Sequence, residues 1–234
     1  MTEIKISKII RSKRRSIGLQ ICRDASLIVR APFRVSETDI NRIVERKRSW
    51  IMKHQGIAQK QVRAGKPKEF VNGEEFLYLG DSYRLVVVEN QASPLLFDKA
   101  FFLSQEYLNR AGSIFLDWYK AQARSKITER VNLYLTQTDL KYNRLGITKA
   151  RKRWGSCGRN NNLNFSWRLI MAPLRIIDYV VAHEVAHLEH KNHSRRFWNK
   201  VSALFPDYKQ SRKWLRENDH LLTIGDSSVF GKDL

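Results

Sequence analysis

The 234 residues, 42% hydrophobic and 11% aromatic, suffice for one large core or two modest ones, which excludes a disordered or low-complexity chain. With only Cys22 and Cys157, no long apolar run and a charged N-terminus, we expect neither a disulfide scaffold nor a membrane partner nor an export signal, and the expected setting is the reducing cytoplasm. The net charge of +20 favours polyanionic partners, nucleic acid first, and is uneven: residues 1–70 hold 18 Lys and Arg against 6 Asp and Glu, whereas residues 171–234 hold 10 against 8.

In chain order, residues 3–10, 16–22 and 26–31 alternate apolar and polar side chains, with RSKRR and RDA as breaks, and predict a three-stranded meander. Ser36 or Glu37 then opens a helix through Ile40, Ile43, Val44, Trp50 and Ile51, with Ser36 and Asp39 spaced as a capping box. Residues 55–69 are polar and basic, contain Gly65 and Pro67, and read as a linker or mobile loop. Residues 70–79 and 83–89 predict a hairpin across Gly80-Asp81, and residues 95–103 add strands around Asp98-Lys99.

From residue 106 to about residue 140, Tyr107, Ile114, Phe115, Trp118, Tyr119, Ala123, Ile127, Val131 and Leu135 recur at helical spacing. A long helix is predicted there, with Arg124, Lys126 and Arg130 on its solvated side. Short strands follow at 145–149, 151–157 and 162–169, with Gly158 to Asn161 as a turn. Pro173, at a favourable first helical position, ends that sheet and starts an amphipathic helix. Phe205-Pro206-Asp207 then separates two further helices, the second through Trp214 and Leu215.

The helix begun at Pro173 contains His183-Glu184-Val185-Ala186-His187, an HExxH motif. Four residues advance an α-helix by about 400°, so the two imidazoles leave one face roughly 6 Å apart along the axis and can share one cation. Neutral imidazole is a good ligand for Zn²⁺, and Glu184 lies beside the same face. Only six histidines occur in the chain, yet four of them fall between 183 and 193. His190 stands about 10 Å along the axis from His183 if the helix continues, too far to close one tetrahedron, and is assigned a supporting role. His193 is the better third ligand: Lys191-Asn192 can end the helix, and Ser194 can cap a new one through Arg195, Phe197, Val201 and Leu204. Glu217 is an alternative third ligand. A fourth position open to water is the arrangement of catalytic zinc rather than structural zinc.

Arg153-Trp154-Gly155-Ser156-Cys157, the strand at 162–169, the HExxH helix and Asn192-His193-Ser194-x-x-Phe197-Trp198 together resemble the YgjP-like metal-dependent hydrolases of the zincin clan, beside the WLM and SprT-like metalloproteases. The specific likeness covers about residues 145–216. It implies His183, His187 and His193 as metal ligands and Glu184 as the catalytic carboxylate. It also implies an edge strand that pairs with an extended protein or peptide substrate, either residues 162–167 or the WGSC segment. Trp154, Gly155 and Cys157 read more simply as packing residues. His190 stands where metzincins carry glycine, and no Met-turn sequence is present, which sets the chain apart from them.

The expected architecture is therefore α+β: a basic, strand-rich region with one helix at 1–104, then a zincin-like metal-dependent hydrolase domain at 105–234. The expected function is zinc-dependent peptide hydrolysis. Zinc lowers the pKa of a water toward roughly 7 and polarises a carbonyl, while Glu184 takes the water proton and passes it to the leaving amine. The basic N-terminal region points to action on DNA-associated proteins. Two alternatives stay open at this point: a metal-dependent nucleotide phosphohydrolase, and a non-catalytic, metal-stabilised nucleic-acid-binding protein.

Overall fold

The structure is a computed structural model that describes residues 4–22, 24–64 and 68–224. The chain forms two compact units, Met1–Lys66 and Pro67–Leu234.

In the first unit, β1 (Ile6–Ser12), β2 (Gly18–Ile21) and β3 (Leu27–Pro32) form a sheet in the order β1-β3-β2. The expected meander is not what forms, since β3 lies in the centre, parallel to β1 and antiparallel to β2. Its alternate side chains Leu27, Val29 and Ala31 are fully buried, so the strand with the most regular apolar face takes the position where both neighbours shield it. Ser36 caps α1 (Glu37–Arg46), its hydroxyl accepting from Asp39 N at 3.1 Å and donating to the Asp39 carboxylate at 2.7 Å. The single helix expected across Trp50 is two, because α1 ends at Lys47 and α2 runs Arg48–Ala64. Ile40, Val44 and Ile51 close the core over the sheet. The linker expected at 55–69 is helical through Ala64; Gln55 Nε2 donates to Ala25 O at 3.0 Å, and Ala58 is buried. Gly65 and Pro67, which suggested the linker, lie outside the described residues.

In the second unit, β4 (Glu75–Tyr78) and β5 (Asp81–Val88) form the expected hairpin, and β6 (Leu95–Phe97) and β7 (Phe101–Ser104) complete a sheet of order β4-β5-β7-β6. A 3₁₀ segment, Gln105–Arg110, precedes α3 (Ala111–Leu135), so the long helix starts later than its apolar pattern and stops with that pattern at Leu135, short of the expected end near residue 140. Phe115, Tyr119, Ala123, Ile127 and Val131 of α3 are fully buried. Phe76 stacks on Phe115 with centroids 4.3 Å apart, Phe101 lies 5.2 Å from Phe115, and the Tyr119 hydroxyl donates to Leu77 O at 2.7 Å. Each such ring withdraws enough apolar surface to contribute roughly 2–3 kcal/mol. The division expected after residue 104 thus falls inside this unit, because β4 to β7 and α3 share one core.

A second sheet, order β8-β10-β9, contains β8 (Leu145–Thr148), β9 (Gly155–Cys157) and β10 (Leu163–Ser166). A 3₁₀ segment, Trp167–Met171, leads to Pro173, which stands just before α4 (Leu174–Glu189) rather than inside its first turn. The hairpin tip holds this junction: Leu79 N and Gly80 N donate to Ile170 O at 2.9 Å and Met171 O at 3.1 Å. Gly80 has φ +96°, and a β-carbon there would stand 2.9 Å from Pro173 Cα, so only glycine serves. Two short helices, α5 (Arg195–Leu204) and α6 (Tyr208–Asn218), pack with α4.

Candidate metal centre

α4 is apolar around nearly its whole circumference; Ile176, Ile177, Val180, Val181, Ala182, Val185 and Ala186 are all buried between α3, α5, α6 and β9. Such a helix fixes its polar residues rigidly. On α4, His183 and His187 bring their ring centroids to 4.9 Å. The helix stops at His190, whose N–H still donates to Ala186 O at 2.9 Å. The carbonyl of His190 lies 2.9 Å from His187 Nδ1. A carbonyl only accepts, so Nδ1 carries the hydrogen and Nε2 presents its lone pair to the site.

The chain then turns through Lys191 and Asn192, and Ser194 caps α5 by accepting from Phe197 N at 3.5 Å. This returns His193 over α4, with its Nε2 3.2 Å from His183 Nε2. One ring nitrogen from each of His183, His187 and His193 lies within 4.8 Å of the other two, the one such cluster among the described residues. Aromatic rings hold the imidazoles in place: Phe197 stacks on His187 at 4.3 Å, and Trp198 lies parallel to His193 at 5.8 Å. His190 instead faces Glu189, 3.4 Å from Oε1, and Glu189 pairs with Lys200 at 2.7 Å. Glu217 is not in the cluster.

Burial, helped by the neighbouring His187 and His193, pushes His183 down to about 3, and burial also lowers His187. Both are therefore neutral, the form that ligates. Glu184 is 4% exposed, its Oε2 has no hydrogen-bond partner, and burial raises its carboxyl to about 8 against the opposing pull of Arg153. A nearby cation acts in the opposite sense and favours the carboxylate. Three convergent imidazole nitrogens beside a buried carboxyl with one oxygen free of hydrogen bonds fit a divalent cation of the kind that binds nitrogen ligands.

β9 runs against α4 at Glu184. A β-carbon on Gly155 would stand 2.5 Å from Glu184 Oε1 and 2.6 Å from its Cγ, so glycine is what lets strand and carboxylate meet. Of the two strands expected to receive substrate, β10 is central and bonded on both sides, whereas β9 is an edge. A cleft of about 190 Å³ opens beside His183 and Glu184, lined also by Trp154, Gly155, Tyr179, Val180 and Leu215. Trp154 is thus half-buried packing and cleft wall at once. Cys157 is a half-buried free thiol whose pKa burial raises, although Lys191 Nζ lies 3.3 Å away.

Three contributors escaped the sequence. Tyr179 stands one turn before His183 on the same helix face, a spacing that could have placed it in the cleft. Lys191 donates to Asn161 Oδ1 at 2.7 Å and Gly158 O at 3.3 Å, tying the loop that delivers His193 to the turn after β9. Arg130, expected in solvent, reaches from α3 to Asp178 on α4 through Nε at 2.5 Å and Nη2 at 3.1 Å. Because Asp178 is only 9% exposed, its charge needs a partner, and Arg130 supplies it.

Among known families, the description "YgjP-like, metallopeptidase domain" matches residues 15–218. No curated protein and no solved structure matches the chain. Among the described residues, no helix is long and apolar enough to cross a membrane.

Proposed function

The chain belongs to the YgjP-like metallopeptidase family, a family of metal-dependent hydrolases, and from this we propose that it is a zinc-dependent peptidase with Glu184 as general base. One observation carries the reading: three imidazoles converge beside a buried glutamate whose Oε2 has no hydrogen-bond partner. His183, His187 and His193 would hold the ion, which supplies Lewis-acid chemistry, polarising a carbonyl and acidifying water. Glu184 accepts the proton of the attacking water and returns it to the leaving amine. β9 offers its free edge to an extended substrate backbone, so binding depends little on side-chain identity. The apolar walls of the cleft, Trp154, Tyr179, Val180 and Leu215, accept one bulky apolar side chain of the substrate.

The test is peptide release from an unfolded protein, with zinc content measured alongside, by Glu184→Gln and His187→Ala variants and the parent, all exposed to the same zinc. We expect Glu184→Gln to retain zinc and lose turnover, and His187→Ala to lose both. Wild-type turnover in metal-verified Glu184→Gln removes the proposed base. Chelator-sensitive release of phosphate or pyrophosphate from nucleoside triphosphates, with no peptide release, replaces the peptidase by a nucleotide hydrolase.

A further inference from the structure

The first unit contributes no residue to the cluster of histidines, yet it carries most of the chain's excess positive charge. Among the described residues of this unit, the sheet packs a core on one side only. Leu27, Val29 and Ala31 face the core shared with Ile40, Val44 and Ile51 of α1 and α2. The alternate residues face the other way, and the register aligns Lys8, Ile10 and Ser12 of β1 with Ile28, Arg30 and Pro32 of β3, and Gln20 and Gly18 of β2 with Ile28 and Arg30.

This second face bears Lys8 and Arg30, both exposed, and the Arg14 guanidinium folds over Gly18, where a β-carbon would stand 2.8 Å from Nη2. No acidic side chain stands among these strand positions. Arg30 Nε donates to Gln20 at 3.1 Å, and Arg14 Nε is buried with no partner. Ile10 and Ile28 lie half-buried between the cations.

One residue beyond β3, in the turn that follows the strand, stands an aromatic ring. Phe33 is 62% exposed, the most of any large hydrophobic among the described residues. Its turn is rigid, because Arg11 Nη1 donates to Pro32 O at 3.2 Å, Phe33 O at 3.3 Å and Val35 O at 2.6 Å. An apolar ring held out to water on an ordered turn, next in sequence to Arg34 and in the same small unit as the exposed cations, has the composition of a base-stacking platform that accompanies a phosphate track.

We propose that the second face of the N-terminal sheet binds single-stranded nucleic acid, with phosphates on Lys8, Arg14 and Arg30 and a base against Phe33. Half-buried isoleucines between the cations favour a strand with accessible bases over a duplex, whose bases are turned inward. The site shares no residue with the histidine cluster, so peptide hydrolysis and nucleic-acid binding stand or fall independently.

The experiment is fluorescence anisotropy of labelled single-stranded and duplex oligonucleotides titrated with the full chain at several salt concentrations. Affinity for the single strand is expected to fall steeply with salt, and Lys8→Ala with Arg30→Ala to flatten the log–log slope by about 1.4. Phe33→Ala, at an exposed position that does not threaten folding, is expected to weaken the single strand about 5-fold or more while leaving duplex binding unchanged. Salt-independent binding, an unaltered slope in the double variant, or a Phe33→Ala protein of parental affinity overturns the assignment. Equal affinity for polyglutamate or for vesicles containing anionic lipid also overturns it, by replacing nucleic acid with generic polyanion attraction.

Discussion

Gly155 and Glu184 approach so closely that a single added methyl group at the strand would lie 2.5 Å from the carboxylate oxygen. The carboxylate cannot swing away freely, because it is 4% exposed. Gly155→Ala is therefore expected to displace Glu184 without touching the histidines. Turnover should fall on the order of 100-fold, the scale of a 1 Å misplacement, while zinc stoichiometry stays at the parental value. Loss of zinc together with activity would show that β9 supports the histidines rather than the acid.

Removal of the ion should be read in the melting temperature. A site filled at 100 times its dissociation constant stabilises by about 2.7 kcal/mol, which in a unit of this size corresponds to roughly 5–10 °C. We expect chelator to lower the melting temperature by that amount. His187→Ala should melt at the chelated value and show no further response to chelator; a variant that still responds has a ligand set other than the three histidines.

Arg130 and Asp178 join α3 to α4 with side chains only 18% and 13% exposed. Arg130→Met leaves an acid in the interior with no partner, at an expected cost of about 3 kcal/mol in denaturant unfolding. Arg130→Met with Asp178→Leu should recover most of that loss, since the unpaired charge is gone. A double variant no more stable than the single one would assign the cost to packing.

Gly80 meets Pro173 at the entrance to α4, in a backbone conformation with φ +96°. Gly80→Ala strains the turn and pushes on the start of the helix, at an expected cost of about 1–3 kcal/mol in thermal or denaturant unfolding. Gly73→Ala, where φ is +83° and no atom lies within 4 Å, isolates the backbone component, and the difference between the two measures the contact with Pro173.

The sequence alone was enough for the histidine cluster and for most individual elements, because those depend on local geometry. The helical period places His183 and His187 on one face wherever α4 happens to lie, and the Ser194 cap forces the turn that returns His193. The β4–β5 hairpin was equally plain from Gly80 and the alternation around it. Strand order, by contrast, followed from which faces found cover. β3 took the centre of the first sheet and β4 to β7 joined the core of α3, although periodicity says only that a face is apolar and never names its partner. The same holds for Arg130 with Asp178 and Gly155 with Glu184: each joins elements tens of residues apart, and only tertiary packing decides that they meet.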